Sequence, residues 1–227
     1  MDLLTPGIIR RVWKPLVFGA CLVPAAELAL GAFGIAGFGL GANPVETLLH
    51  GLGKWGLNFL LITLSVTPLS WIVRAAWPIR FRRMLGLFSF AYLTMHFLVY
   101  LILDQGLAWS FILEDIGERP YITVGMAALA LMLPLALTST RRAMRRLKRR
   151  WTALHKLIYP IAILAVWHFW WQVKQDWREP LIYALVLALL LGSRLIRRQR
   201  LRHRAEQSRA HRGPAIGLRR GQTRTLI

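Results

Sequence analysis

The sequence predicts an all-α integral membrane protein, a bundle of six transmembrane helices with both termini in the cytoplasm. Of its 227 residues, 56% are hydrophobic and only 18% are charged, and the mean hydropathy is +0.44. Lysine and arginine number 30 against 10 acidic residues, which gives a formal net charge of +20. A soluble domain is rarely both this apolar and this basic. Six spans also leave no room for a large soluble catalytic domain.

The apolar residues are gathered into six stretches, each close to the roughly 20 residues that a membrane-crossing helix needs. The first stretch is as long as a full span, and no small-x-small cleavage site follows it. We therefore expect a membrane helix there rather than a removable signal peptide. The six predicted spans are Pro15–Ala36, Lys54–Val73, Met84–Leu103, Tyr121–Ser139, Trp151–Gln172 and Pro180–Ile196.

The charges between the spans predict the orientation, because cytoplasmic ends of spans carry an excess of lysine and arginine. Basic residues concentrate before span one, in the 2–3 loop, in the 4–5 loop RRAMRRLKRR and after span six. The alternate loops carry most of the acids instead. Both termini are therefore expected inside, which requires an even number of spans. The acidic residues of the outer loops are Glu46, Asp104, Glu114, Asp115, Glu118, Asp176 and Glu179.

Three parts are predicted: a cytoplasmic N-terminus (1–14), the transmembrane domain (15–196) and a basic cytoplasmic tail (197–227) that is expected to be disordered. A basic tail can be a nucleic-acid arm, but attraction to anionic lipid headgroups accounts for the charge better. We therefore expect membrane lipid and no nucleic acid as its partner. The single cysteine, Cys21, excludes an intramolecular disulfide, a CxxC pair and a Cys-ligated iron–sulfur cluster. No internal repeat is recognised.

Ionisable residues inside spans are costly and are functional candidates for that reason. Span three carries His96 toward its outer end, and span five carries His155 near its cytoplasmic start and His168 near its outer end. His155 and His168 lie about 20 Å apart along a helix, too far for one metal ion. His96 and His168 lie at similar depth on different spans. Two neutral imidazoles that face each other suit a six-coordinate haem iron.

The ionisable residues of the spans also admit roles other than haem binding. A lone intramembrane histidine can simply hydrogen-bond to a neighbouring helix. Zinc is disfavoured because no Asp, Glu or Cys joins the histidines at that depth. Arg82 and Arg83, at the inner edge, can meet haem propionates, a flavin phosphate or lipid headgroups. Glu27 in span one can serve proton uptake, although a hydrogen bond between helices is the better expectation. The tryptophans that flank His168 are typical of an interfacial belt: Trp167, Trp170 and Trp171.

Several motifs, in the same order along residues 41–191, resemble the MsrQ (YedZ) family, the haem-binding membrane subunits of the periplasmic methionine sulfoxide reductase system. That family falls in the ferric-reductase-like transmembrane group, as do NADPH oxidases. The N-terminus and the basic tail carry no part of the resemblance. The segments that carry it are GANPVETLLHG (41–51), FLLITLSVTPL (59–69), RRMLGLFSFAYLTMHFLVY (82–100), RPYITVG (119–125), LTSTRRAM (137–144), WTALHKLIYPIAIL (151–164) and WHFWWQVK (167–174).

The resemblance implies a six-helix bundle that holds b-type haem, with His96 and His168 as the axial ligands of the iron. In two-haem members of the group, spans three and five each supply two histidines. Here span five keeps both, whereas the inner position of span three falls near Arg82 or Arg83. One haem is therefore expected. His155 is left as a weaker ligand of a second haem with an unidentified partner, a flavin contact or a structural residue.

The resemblance also implies an electron-transfer subunit whose catalytic site lies on another protein. The segment after span six is too short for a flavin–nicotinamide domain and lacks a GxGxxG motif. In this family the donor is the quinol pool, with FMN bound, or a cytosolic flavin reductase. The acceptor is a periplasmic molybdopterin subunit, MsrP, which reduces oxidised envelope proteins. These relations imply a multi-pass protein of the bacterial inner membrane.

We expect the outer loops, Ala42–Gly53 and Asp104–Pro120, to form the docking surface for the periplasmic partner. His50 at the outer interface is a candidate for a quinone headgroup, and otherwise caps span two or bonds locally. Two rival functions remain. A stand-alone haem oxidase or ferric reductase would turn over without a partner, and a non-redox membrane scaffold would be colourless when purified. A transporter is disfavoured because the spans offer few polar residues for a hydrophilic path.

Overall fold

The computed structural model describes residues 5–37, 39–173 and 176–211, which are built from helices and their connections. Six helical segments in this described part are long and apolar enough to cross a membrane. Their number equals the number of predicted spans, and the helical architecture confirms the predicted all-α membrane fold class. The six segments are Pro6–Ala32, Pro44–Ile72, Arg82–Asp104, Pro120–Leu137, Arg149–Gln172 and Arg178–Ser208.

The helices differ in length, and several are joined by tighter or wider helical turns. Helical turns over Pro6–Ile8 and Ile9–Trp13 lead into the first helix, and a π-helical turn, Tyr100–Asp104, extends the third. A 3₁₀ turn, His155–Leu157, separates the seventh helix from the eighth. The helices are α1 (Lys14–Ala32), α2 (Pro44–Ile72), α3 (Arg82–Val99), α4 (Trp109–Glu118), α5 (Pro120–Leu137), α6 (Arg141–Leu147), α7 (Arg149–Leu154), α8 (Ile158–Gln172) and α9 (Arg178–His211).

Two antiparallel helix pairs form the centre of the unit that spans residues 1–191. Helix α2 packs along α3, and α5 packs along α8. Apolar side chains from both pairs share one buried cluster, which includes Leu60, Leu64, Met132 and Ile161. A second cluster joins α1 to the α2–α3 pair. The two pairs therefore pack against each other, and they leave a cavity between the ends that the charge distribution predicts to face outward, which are named the outer ends.

The buried hydroxyl group of Tyr92 connects helix α1 to α3 through two hydrogen bonds. The Tyr92 side chain is only 1% exposed. Its hydroxyl donates to the carbonyl oxygen of Cys21 at 2.8 Å and accepts from the amide nitrogen of Ala25 at 2.9 Å. These two backbone groups, four residues apart in a helix, would otherwise bond to each other. The tyrosine thus replaces a helical hydrogen bond beside Pro24 and holds α1 in place.

Several boundaries differ from those predicted. Helix α2 begins ten residues before the predicted span two, because Asn43 caps it by accepting a hydrogen bond from the Glu46 amide at 3.3 Å. The loop 104–120 contains α4, a helix that was not expected there. Helix α9 continues to His211, so part of the tail that was expected to be disordered is helical. Arginine and glutamine are good helix formers, which accounts for this extension. Residues 212–227 lie outside the described part.

Candidate functional site

The two helix pairs enclose a cavity of about 460 Å³ at their outer ends. Its volume falls in the range of sites that hold small molecules or cofactors, roughly 300–1,000 Å³. The lining changes character along the cavity. The inner end is apolar and includes Leu57, Leu129 and Ala165, whereas the outer end carries polar and charged side chains. The cavity therefore suits a mostly apolar molecule with polar groups on one edge.

His96 of α3 and His168 of α8 face each other across this cavity. Their ring centroids are 6.2 Å apart, and the ring planes are inclined at 78°. Their similar depth along the two spans predicted this pairing, and the structure brings the two residues together. Both side chains are partly buried among helices from both pairs.

Each imidazole is held by a backbone carbonyl group of the neighbouring helix. His96 Nδ1 lies 2.8 Å from the carbonyl oxygen of Leu49 in α2, and His168 Nδ1 lies 2.7 Å from that of Tyr121 in α5. A carbonyl oxygen can only accept, so Nδ1 is the protonated nitrogen in both rings. The unprotonated Nε2 of each neutral ring keeps a lone pair for a ligand, which is the tautomer required of a metal-bound imidazole.

Two glycines let the rings reach these carbonyl groups. Gly53 lies one turn after Leu49, and Gly125 lies one turn after Tyr121. A Cβ atom would stand 3.0 Å from His96 Nδ1 at Gly53, and 2.8 Å from His168 Nδ1 at Gly125. Both distances are shorter than ordinary van der Waals contact. Each imidazole therefore occupies the space that a side chain on the facing helix would fill.

These contacts repeat along the chain at one constant spacing. The histidine follows its carbonyl partner by 47 residues in both halves. Four features of the first half recur 72 residues later: the carbonyl partner, the glycine, the histidine and the phenylalanine after the histidine. Phe97 of α3 therefore corresponds to Phe169 of α8. The expectation of no internal repeat therefore does not hold at these four positions. The shared glycine and the shared His-Phe pair could have indicated the repeat in the sequence, but the other residues of the two halves differ too much for it to be recognised.

The donor set fits a haem better than a bare metal ion. In the described part of the chain, no group of three or more His, Cys, Asp or Glu residues is placed to hold a metal. A haem brings four nitrogens of its own and needs only two axial ligands. Two imidazoles bound at about 2.0–2.1 Å on either side of one atom would have ring centroids about 6.3 Å apart. The observed separation of 6.2 Å matches this arrangement.

In the part of the chain that the structure describes, two ion pairs lie at the outer mouth of the cavity. The Lys54 ammonium group lies 2.8 Å from the Glu179 carboxylate. Arg119 Nε lies 3.1 Å from Asp115 Oδ1, and this carboxylate raises the pKa of Arg119 above its usual range. His50, also at the mouth, accepts a hydrogen bond from the side-chain amide of Gln172 at 2.6 Å. Gln172 is thus a local bonding partner of His50, and a role of His50 toward a quinone headgroup stays a prediction.

The remaining predicted residues lie away from this cavity. His155 stacks on Trp151 at 3.9 Å, and its buried Nε2 has no hydrogen-bond partner among the described residues. Arg82 and Arg83 begin α3, and neither lines the cavity. Their contact with a propionate or a flavin phosphate stays a prediction. Glu27 is exposed and makes none of the interhelical hydrogen bonds that were expected of it in the described part.

The three tryptophans around His168 point away from the helix bundle. Their side chains are 53% exposed for Trp167, 41% for Trp170 and 45% for Trp171. Trp167 and Trp171 stack on each other with ring centroids 6.0 Å apart. Exposed aromatic side chains near the outer end of a membrane helix are typical of the interfacial belt. They support the membrane interpretation and do not line the cavity.

Comparison with known proteins gives a consistent result. The sequence model of a family described as the ferric reductase like transmembrane component matches residues 51–166. A relative from Xanthomonas oryzae is named protein-methionine-sulfoxide reductase heme-binding subunit MsrQ. It is 54% identical over 186 residues, which cover 81% of this chain and 85% of the relative. A Rhodospirillum rubrum relative of the same name is 50% identical and covers 82% and 88% of the two chains. No solved structure matches.

Proposed function

The chain belongs to the ferric-reductase-like transmembrane family and, within it, to the MsrQ subunits, and from this premise we propose a function in electron transfer. It binds haem b and passes electrons outward across the bacterial inner membrane. The acceptor is a periplasmic molybdopterin methionine sulfoxide reductase of the MsrP type, which carries the catalytic site. The single observation that supports this function best is the facing pair of histidines.

His96 and His168 are the two residues that would hold the haem iron. A bound haem supplies one-electron redox chemistry that no side chain of the protein can perform. The carbonyl groups of Leu49 and Tyr121 fix both imidazoles in the tautomer that presents Nε2 to a metal. A hydrogen bond at the far nitrogen also makes an imidazole a stronger ligand, which favours the oxidised state of the metal. These backbone contacts therefore tune the site toward a low reduction potential.

The apolar inner end of the cavity supports the same function. Leu57, Leu93 and Ile161 line it, and their side chains offer water no hydrogen-bonding partner. A dry, low-dielectric wall lowers the cost of rearranging solvent when a buried group changes charge. The outer end is the open one, so an electron acceptor would approach from that side.

The outer segments Ala42–Gly53 and Asp104–Pro120, which include the first turns of α2 and the whole of α4, are the proposed docking surface for the periplasmic subunit. Both segments contribute residues to the lining of the cavity, among them His50 and Arg119, which supports this proposal. Both termini lie in the cytoplasm in the proposed orientation, in agreement with the distribution of basic residues. The basic tail then meets anionic lipid rather than nucleic acid.

The electron donor is proposed to be the quinol pool or a cytosolic flavin reductase. His50 and the amide of Gln172 provide polar groups for a quinone headgroup at the outer mouth. FMN is the second cofactor proposed, with Arg82 and Arg83 as partners for its phosphate. His155, whose buried Nε2 has no hydrogen-bond partner within residues 5–37, 39–173 and 176–211, is the remaining candidate for a flavin or a second haem.

The test is the reduced-minus-oxidised spectrum of the detergent-purified protein, with haem quantified in parallel. Wild type should show low-spin haem, and His96→Ala and His168→Ala should each lose it. His203→Ala, on the exposed C-terminal stretch of α9, is the matched control and should behave as wild type. His155→Ala reports whether a second haem is present. A colourless wild type from haem-replete cells would overturn the proposal in favour of a scaffold.

Partner dependence separates the proposed function from a stand-alone oxidase or ferric reductase. The reduced protein should be reoxidised rapidly only when the molybdopterin subunit and a methionine sulfoxide substrate are both present. Fast reoxidation by oxygen or ferric citrate without that subunit would contradict the proposal. The measurement is stopped-flow absorbance of the haem band, with the molybdopterin subunit omitted as the control.

A further inference from the structure

One end of the cavity is apolar and the other is polar, and this difference orients a bound molecule that has a single polar edge. Leu57, Leu93 and Leu129 line the inner end, whereas Lys54 and Arg119 are the lysine and arginine that line the outer mouth among the residues the structure describes. A porphyrin is apolar except for two carboxylates on one edge. Burying a carboxylate in an apolar wall is costly, and pairing it with a cation removes much of that cost. The carboxylate edge should therefore face the mouth.

Arg119 is held so that its binding groups stay available. Its Nε contacts Asp115 Oδ1 at 3.1 Å. The guanidinium group carries five N–H donors in a planar fork, of which Asp115 takes one and a side-chain hydrogen bond to Tyr121 takes another. Terminal N–H donors therefore remain for another carboxylate. The Arg119 side chain is 52% exposed and lines the cavity, whereas the side chain of Asp115, which anchors it, is only 11% exposed.

Asp115 is itself fixed by two further donors. The Tyr100 hydroxyl donates to its Oδ2 at 3.2 Å, and the Gln105 side-chain amide donates to the same oxygen at 3.1 Å. Tyr100 also lines the cavity. The carboxylate thus stays satisfied on one oxygen while it positions Arg119 with the other. Arg119 is a pre-oriented cation rather than a mobile surface charge.

Among the described residues, Lys54 is the other lysine or arginine that lines the mouth, and it already pairs with a carboxylate. Its ammonium group lies 2.8 and 3.0 Å from the two carboxylate oxygens of Glu179. An ammonium group shared between two carboxylate oxygens has less to offer a second anion than a planar guanidinium group with further N–H donors. The geometry therefore favours Arg119.

We propose that Arg119 binds a haem propionate through its terminal guanidinium nitrogens and so orients the porphyrin with its carboxylates toward the outer mouth. This inference rests on the haem binding proposed above. It assigns the propionate to the outer end of the site, away from Arg82 and Arg83. Arg119 is then a cofactor-binding residue, and Asp115 is its positioning residue.

The first experiment measures haem release and midpoint potential in the purified full-length protein. Arg119→Gln should transfer haem to apomyoglobin about three- to tenfold faster than wild type, because one charge-assisted contact is lost at a half-exposed site. Its midpoint potential should fall, since a nearby cation favours the reduced, more negative state. Arg119→Lys keeps the charge, so it should retain most of the potential while it releases haem faster than wild type.

One arginine variant is the matched control, and a second tests the inner end of the bundle. Arg178→Gln removes a cation from an exposed position that does not line the cavity, and it should release haem at the wild-type rate. Arg83→Gln removes the competing propionate candidate at the start of α3. Equal release by Arg119→Gln and Arg178→Gln would overturn the inference, and faster release by Arg83→Gln but not by Arg119→Gln would move the propionate to the inner end.

A second experiment tests the carboxylate itself. Haem-free protein is loaded in detergent with haem or with haem dimethyl ester, which lacks the ionised carboxylates. Arg119→Gln should weaken binding of haem and leave binding of the ester unchanged. A loss that is equal for both ligands would show that the substitution only disturbs the fold. A wild type that binds neither ligand would instead contradict the proposed haem binding, so the two failures are distinguishable.

Discussion

Replacing Gly125 by alanine tests whether this glycine sets the position of the His168 ring. The new Cβ would stand 2.8 Å from His168 Nδ1, whereas ordinary contact begins at 3.4 Å, so the ring must retreat by about 0.6 Å. The carbonyl partner lies on the same helix as the glycine. The retreat therefore lengthens the 2.7 Å hydrogen bond toward about 3.3 Å, beyond the usual range.

The expected consequence of Gly125→Ala is a weaker and less basic axial ligand. Loss of a hydrogen bond behind a metal ligand typically costs about 10- to 100-fold in affinity, or about 1.4–2.8 kcal/mol. Because the imidazole then donates less electron density, the midpoint potential should rise. The assay is haem stoichiometry per protein together with a spectroelectrochemical titration. A variant with the wild-type stoichiometry, spectrum and potential would refute the reasoning.

Two further glycines supply a graded control for this prediction. Gly53→Ala would place its Cβ 3.0 Å from His96 Nδ1, so its effect should have the same sign and a smaller size. Gly19→Ala, within α1, meets no atom within 4 Å and should leave the haem spectrum unchanged. Alanine is favoured over glycine in a helix by about 0.5–1 kcal/mol. A general loss of helix stability therefore cannot produce the expected ranking.

Three other substitutions test the packing around the site, each by the midpoint of thermal unfolding in detergent. Tyr92→Phe leaves two backbone groups of α1 without their partner and should destabilise the protein by about 1–3 kcal/mol; an unchanged midpoint would contradict the role of the hydroxyl. Ser89→Ala removes the buried hydrogen bond to the Gly56 carbonyl group at 2.8 Å and should cost about 1 kcal/mol. Lys54→Gln breaks a half-exposed ion pair and should cost less than about 1 kcal/mol; a larger loss would show that the pair is more deeply desolvated than its exposure indicates.

The spans and the histidine pair could be predicted because both depend on local properties of the sequence. Apolar length identifies a membrane helix without knowledge of its neighbours. The similar depth of His96 and His168 was predicted by counting along two spans whose direction is inferred from the basic loops. The structure brings these two residues together as expected, and it places His155 elsewhere, stacked on Trp151.

The helix ends and the contacts behind the ligands could not be predicted in this way. Helix α2 starts at a capping asparagine in a stretch too polar to count as a membrane span. The carbonyl groups of Leu49 and Tyr121 have no signature in the sequence, because every residue carries one. Their selection depends on which turn of the neighbouring helix lies beside the imidazole. That information is tertiary, and Gly53 and Gly125 gain their meaning only from it.

The repeat of 72 residues explains why the outer pair of histidines is complete. Each helix pair contributes one carbonyl group, one glycine and one imidazole, so the site consists of two equivalent halves. The residue 72 positions before His155 is Arg83, whose guanidinium group has no lone pair to offer a metal. The inner histidine therefore lacks the counterpart that the outer one has. The repeat generates one facing imidazole pair, at the end of the bundle where the cavity is open.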